Sequence, residues 1–394
     1  MRAEVARADR AREVREAARG WHRAGAIDEA TRGAVDAAFP DDRVRLGPTF
    51  RALAFLFTAV AVLALIGLIA LVVEPRRHGW GLPLAVGVAL VFVTELQLGR
   101  LRRRDGGTES ATAWLALASL LVGLTWCASD ALNLRAEASW ISFWAGAALL
   151  SMAAAGRWGD AGHALVAAVA VFLLLAASDV GRLLWIAAAV MAIPFLVRAC
   201  ESSRLPPTQR QGALAALACC LTALYLALHL GSWDSGWVEQ LRAGPSRPPP
   251  PGALRPLAIL ATATLPVGLL AWSIATRRRV LLWLGGLAAA ASLVTLRWYV
   301  HVAPAWLVLT AAGAAMIALA LALRRRLDSA PQGERWGFTA APLFEDPARP
   351  ERLAAAVTLA AGSRLQPQPP AAAQAGRFRP GGGSYGGGGA TGEY

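Results

Sequence analysis

The chain has 394 residues, 56% of them hydrophobic and only 16% charged, with a mean hydropathy of +0.44 and a formal net charge of +13. A soluble chain is about a quarter charged. Here the apolar residues stand in long runs, which makes lipid their expected solvent. All 39 basic residues are Arg, scattered between the apolar runs. A nucleic-acid binder would gather such charge on one soluble face, so nucleic acid is excluded as a partner and the lipid bilayer is the expected one.

Residues 1–49 favour helix. Val5, Val14, Ala17, Ala18 and Trp21 form a thin apolar stripe, with Glu and Arg at helical spacing over the remainder. Gly25 breaks this helix, Asp28 is placed to cap a second one through Phe39, and Pro40 ends it. The expectation is a short cytoplasmic helical hairpin. It is no DNA-binding unit, because eleven Arg through residue 51 meet nine acids. The first apolar run begins near Ala52 behind this charged segment, which is not the layout of a secretory signal.

Ten predicted membrane helices follow: Arg51–Val73, Trp80–Leu98, Ala111–Ser129, Trp140–Ala155, Gly162–Ala177, Leu183–Val197, Gly212–Gly231, Leu257–Thr276, Val280–Tyr299 and Ala303–Leu323. The fourth to sixth are short, and Pro194 and Pro266 lie inside the sixth and eighth, where a bilayer tolerates them as kinks. With a cytoplasmic N-terminus the inner loops hold eleven Arg and the outer loops eight. The Arg-rich N-terminal segment and Arg324–Arg326 then place both termini on the cytoplasmic side. The longest outer loop, about Ser232–Arg255, carries Pro248–Pro251 and is expected to be stiff polyproline II.

The expected fold is thus all-α: a polytopic transmembrane bundle of about ten helices over residues 50–323, after the hairpin of 1–49. Residues 324–394 form a cytoplasmic tail, with a short helix near 348–361 after the Asp346–Pro347 cap and a disordered Gly-rich end. Cys127, Cys200, Cys219 and Cys220 have no metal-binding spacing and read as small buried residues. The sequence points to no cofactor, no metal and no catalytic set.

Ionisable groups at membrane depth are functional candidates by default. Glu95 lies about one turn from Arg100–Arg104, where an interfacial salt bridge accounts for it. A second group should lie at the outer ends of the helices: Asp130, Asp179, Arg182, Tyr225, His229, Arg297 and His301. Tyr225 and His229 are four apart and share a helix face. Trp80, Trp126, Trp140, Trp185, Trp233, Trp298 and Trp306 surround that layer, as an interfacial aromatic belt does. Gly156–Asp160 superficially resembles the Gly-x-Gly-Asp motif of intramembrane aspartyl proteases, but its spacing is wrong and no partner Asp motif exists.

The stretch Trp21–Thr31, with its Trp followed by Gly-x-Ile-Asp, resembles the start of a bacterial family of multispanning membrane proteins of unknown function, the domain of unknown function 2157 type. That resemblance implies a cytoplasmic hairpin, a string of short membrane helices, a bacterial inner-membrane location and no assigned activity. The Gly-rich Gly381–Tyr394 is similar to the tails of TPM-domain membrane proteins, without that domain. Three functional readings follow. The leading one is a non-enzymatic membrane protein that binds protein partners through its hairpin and tail. The second is a small-molecule transporter of two five-helix halves. The third is an enzyme acting on a lipid-linked substrate at the outer face.

Overall fold

Ten long helices follow a helical hairpin in the computed structural model, which describes residues 3–23, 25–73, 79–131, 133–241, 255–276, 278–299, 305–329, 334–335 and 338–339. The hairpin is α1 (Ala3–Arg23) and α2 (Glu29–Ala38). The long helices are α3 (Pro48–Val73), α4 (Gly81–Gly99), α5 (Thr108–Ala131), α6 (Ala136–Trp158), α7 (Ala161–Ala176), α8 (Gly181–Glu201), α9 (Pro207–Leu228), α12 (Arg255–Thr276), α13 (Arg279–Tyr299) and α14 (Ala305–Asp328). Two short helices, α10 (Leu230–Ser235) and α11 (Trp237–Gln240), follow α9. A two-residue ribbon, β1 (Glu334–Arg335) with β2 (Phe338–Thr339), follows α14.

Among the described residues, eight of these helices are long and apolar enough to cross a bilayer: α3 to α6, α8, α9, α12 and α13. Their faces carry large apolar side chains with no protein cover, such as Leu71, Phe92 and Trp283, each at least 75% exposed. Water would not tolerate such surfaces, and lipid does. This is a multi-pass membrane protein. The fourth and sixth helices are longer than the apolar runs suggested, because Glu137, Arg157 and Glu201 are accommodated in their end turns. The predicted tail helix, the polyproline segment and the Gly-rich end lie outside the described residues.

The chain divides into two units. One comprises Met1–Glu13, Phe39–Gly268 and Gly286–Thr295; the other comprises Val14–Ala38, Leu269–Gly285 and Leu296–Tyr394. In the second unit the hairpin turn follows its sequence. The Asp28 carboxylate accepts from Thr31 N at 2.8 Å, Arg15 pairs with Asp36 at 2.8 Å, and His22 Nε2 lies 3.1 Å from Glu29.

In the first unit α7 is the central helix. At 16 residues it spans only about 24 Å, and it packs against α6, α8 and α9 with Leu165 and Val169 left exposed. Ala170 and Phe172 are buried, and Phe172 and Ala176 share a core with Trp185 and Ala189 of α8 and Ala223 and Ala227 of α9. Val238 of α11 joins the same cluster, so the short helices pack where α7 stops. The start of the predicted outer loop is therefore folded, with Ser232, Trp233 and Val238 buried. Of the cysteines, Cys220 is fully buried and the other three are half-buried; all four are free thiols.

α4 and α5 form the tightest pair. A Cβ on Gly87 would stand 2.6 Å from Leu120 Cγ and 2.9 Å from Leu120 N. A Cβ on Gly123 would meet Leu84 Cγ at 2.7 Å and Leu84 N at 2.9 Å. Each glycine thus admits the other helix's leucine, the small-residue contact that membrane helices use. Leucine at position 87 has no relief through rotamers, since backbone is in the way. Gly87→Leu is expected to cost about 1–3 kcal/mol, read as a lower unfolding midpoint in detergent. Gly67→Leu on α3, where nothing lies within 4 Å, is the neutral control.

Candidate functional site

Helices α4, α6 and α8 deliver their C-terminal ends to one end of the first unit, and the first half of α1 lies against the turns there. The reason is one carboxylate. Asp9, with a side chain 3% exposed, accepts from Arg104 (Nη2 at 2.9 Å, Nε at 3.3 Å), from Arg45 at 3.3 Å and from Thr208 Oγ1 at 3.2 Å. Ala8 and Ala11 beside it are buried and small enough to permit the approach. The apolar stripe expected on α1 is corrected accordingly: Val5 and Ala18 are buried, but Trp21 is 42% exposed and Asp9 takes an inner position. Glu13 extends the contact to Arg210 at 2.6 Å. The strand-like segment around Val44 lies alongside Arg103, with Arg104 N donating to Val44 O at 3.0 Å.

Arginines close the helix ends here. The last carbonyls of a helix lack intrahelical donors, and a cation there also meets the negative end of the dipole. Arg43 donates to Leu98 O at the end of α4, and Arg104 Nη1 donates to Trp158 O, the last residue of α6, at 2.8 Å. The Gly156–Asp160 stretch is likewise structural. Gly159 takes φ +72° to end α6, and Asp160 caps α7 by accepting from Gly162 N at 2.7 Å.

Beneath these turns is a cleft of about 650 Å³, lined by Arg12, Arg45, Arg51, Asp105, Trp114 and Asp160 among others. Asp105 meets Arg12, Arg45 at 2.6 Å and Arg51 at 3.3 Å. Burial opposes its charge, but Arg45, Arg51, Arg104 and Arg12 outweigh that and hold its carboxyl below the usual range. Its stabilising contribution is therefore complete above the ordinary Asp value of about 4 and is lost as pH falls through the lower, folded value. The far face of Trp114 stacks on His163 (4.2 Å between centroids, 18° between planes). His163 is fully buried, with Trp158 edge-on at 5.7 Å and Asp160 Oδ2 at 3.6 Å from Nδ1.

At the opposite end of this unit the dominant feature is Arg182. It forms a two-pronged pair with Glu239, Nε to Oε1 and Nη2 to Oε2, both at 2.7 Å. It also donates to Ala227 O in the last turn of α9 at 2.8 Å and to Ser232 O of α10 at 2.9 Å. Trp233 covers the guanidinium at 4.7 Å. The pair is nearly dry, with side chains 5% and 13% exposed. This is the same device as Arg104, an arginine serving the open carbonyls of one helix while a carboxylate balances it.

The candidates named from sequence separate as follows. Tyr225 is buried, with its hydroxyl 2.8 Å from Ser292 Oγ and donating to Ala288 O at 3.0 Å. His229 follows α9, touches the Tyr225 ring at 4.9 Å and reaches Thr295 Oγ1 at 3.0 Å through Nε2. Leu230 N donates to Thr262 Oγ1 beside it, at 2.8 Å. Tyr225 and His229 thus stand together between α9, α12 and α13. Asp130 and Asp179 are exposed at helix ends. Arg297 is half-buried in the last turn of α13, within the second unit, and His301 lies outside the described residues. Glu95 does form a salt bridge, and its two-pronged partner is Arg157 on α6, at 2.8 Å on both oxygens, with Trp158 Nε1 donating at 3.0 Å. Trp185 and Trp233, assigned to a belt, are core residues at 4% exposure. Asp9 and Glu239 carried no sequence signal beyond ordinary surface charge.

No family model matches the chain, and neither the curated proteins nor the solved structures contain a significant match.

Proposed function

We propose that this membrane protein works by binding rather than by turnover, as an inner-membrane scaffold that presents its N-terminal hairpin to a protein partner. The observation that carries this is α2. It is a ten-residue helix with no buried residue, too short to be stable alone in water, held beside α1 by Arg15–Asp36 and His22–Glu29. A helix kept in place with none of its residues buried offers its surface to another molecule. The buried ionisable groups support the same reading, because Asp9, Arg104, Arg182 and Glu239 are engaged in closing helix ends.

The Arg-rich flanks favour both termini on the cytoplasmic side of a bacterial inner membrane, and the Trp21–Thr31 pattern favours the multispanning family named above. A transporter is the second reading, drawn from the hydrogen-bonded Tyr225, His229, Thr262, Ser292 and Thr295 between α9, α12 and α13. A photo-crosslinking residue at Ala34 on α2, incorporated into the full chain in cells, tests the scaffold. A discrete protein adduct is expected from Ala34 and none from lipid-facing Leu71, which is 77% exposed. Identical, diffuse adducts from both positions would reject it.

A further inference from the structure

The cleft at the α1 end has a lining and a position that together define its chemistry. Arg51 stands in the first turn of α3, whose span Pro48–Val72 has 25 residues and none of its apolar window buried in protein. Such a helix is about 37 Å long, some 7 Å more than the hydrocarbon core. Its first turn therefore lies at headgroup depth. Ala52 and, one turn further along, Phe55 also line the cleft, and Phe55 is 37% exposed on the lipid-facing helix. The cleft is thus polar at its mouth and apolar along one wall, and that wall continues into the bilayer.

Its charge is also specific. Three arginines and two aspartates line it, an excess of one positive charge. Arg12 and Arg51 keep 42% and 45% of their side chains exposed while they touch Asp105. Guanidinium forks match phosphate oxygens in pairs. An excess of one charge suits a phosphodiester, which carries one, better than a phosphate monoester, which carries nearly two at neutral pH. Trp114, half-buried at the back and stacked on His163, fixes that wall.

We propose that this cleft seats the phosphodiester headgroup of an acidic phospholipid, held by Arg12 and Arg51, with the acyl chain leaving along α3 past Phe55. The lipid then bridges α3, the α4–α5 turn and α1.

The full chain in phosphatidylcholine nanodiscs, with or without phosphatidylglycerol, provides the test. Phosphatidylglycerol should raise the unfolding midpoint and co-purify with the protein. Arg51→Gln should weaken that retention roughly fivefold, the scale of one arginine near a charged membrane surface. Phe55→Ala should weaken it too. Unchanged retention in both variants would overturn the proposal. Soluble glycerol phosphate marks the alternative source of the same anion, and competition by it as strong as that of the lipid would overturn the lipid assignment. Should Arg51→Gln fail to fold, wild-type protein and a phosphatidylglycerol carrying a photoreactive group beside the phosphate decide the matter. Labels concentrated on the peptides containing Phe55 and Trp114 are expected, and labels spread evenly over the helices would overturn the site.

Discussion

Replacing Arg182 by methionine is expected to destabilise the folded protein by about 3–5 kcal/mol, the usual consequence of removing one partner of a buried ion pair. The loss has three physical parts. Glu239 keeps its charge at a site where its side chain is 13% exposed, Ala227 O and Ser232 O each lose the guanidinium's hydrogen bond, and Trp233 loses the cation under its ring. Charge reversal or Glu239→Gln should act in the same direction, and Glu239→Gln less, because an amide can still accept one of the two hydrogen bonds. The paired replacement Arg182→Met with Glu239→Leu should recover much of the loss, since neither charge is then stranded. Unfolding midpoints of wild type, Arg182→Met, Glu239→Leu and the double variant in one detergent check this. Additive losses would show that Arg182 and Glu239 do not act as a pair.

The second large effect is expected at Asp9. Asp9→Leu strands Arg104, which is buried, and removes a shared acceptor from Arg45 and Thr208. About 3–5 kcal/mol is again the expected scale, with a distinct local signature. The first half of α1 is held to the turns by Asp9 and by Glu13 with Arg210, so its amides should exchange far faster while those of α7 change little. Hydrogen exchange on peptides from the two helices reads both. Protection of α1 that is equal in wild type and variant would show that its apolar face, Val5, Ala8 and Ala11, suffices to hold it.

These two carboxylates also mark where sequence reading stops. The helices were legible because length and hydropathy are local quantities, and each of the ten apolar runs corresponds to a helix. Arg182 was legible as a charge at the end of a span. Its meaning was not, because Glu239 lies 57 residues further on in a stretch that reads as loop. Asp9 looked like any solvated acid on an amphipathic helix, and its burial depends on Arg104, 95 residues away. Trp185 and Trp233 failed for a related reason. Position near a span's end predicts an interfacial tryptophan, but α10 packs against α9 and α11 against α8, and that layer becomes core. Gly159 and Asp160, by contrast, form a helix stop followed by a helix start, recognisable from their order alone.

The most direct measurement is labelling by a membrane-impermeant thiol reagent in intact and opened membrane vesicles. The background is a full-length protein whose Cys127, Cys200, Cys219 and Cys220 are replaced. Single cysteines are then placed at Ser203, Ser235 and Leu63. The first two are exposed at opposite ends of the first unit, and Leu63 is 55% exposed on the side of α3. Ser203→Cys and Ser235→Cys should react from opposite faces of the membrane, while Leu63→Cys stays unreactive from both despite its exposure, because lipid covers it. Reaction of Ser203→Cys and Ser235→Cys from the same face, or ready labelling of Leu63→Cys, would contradict a multi-pass bundle with these ends.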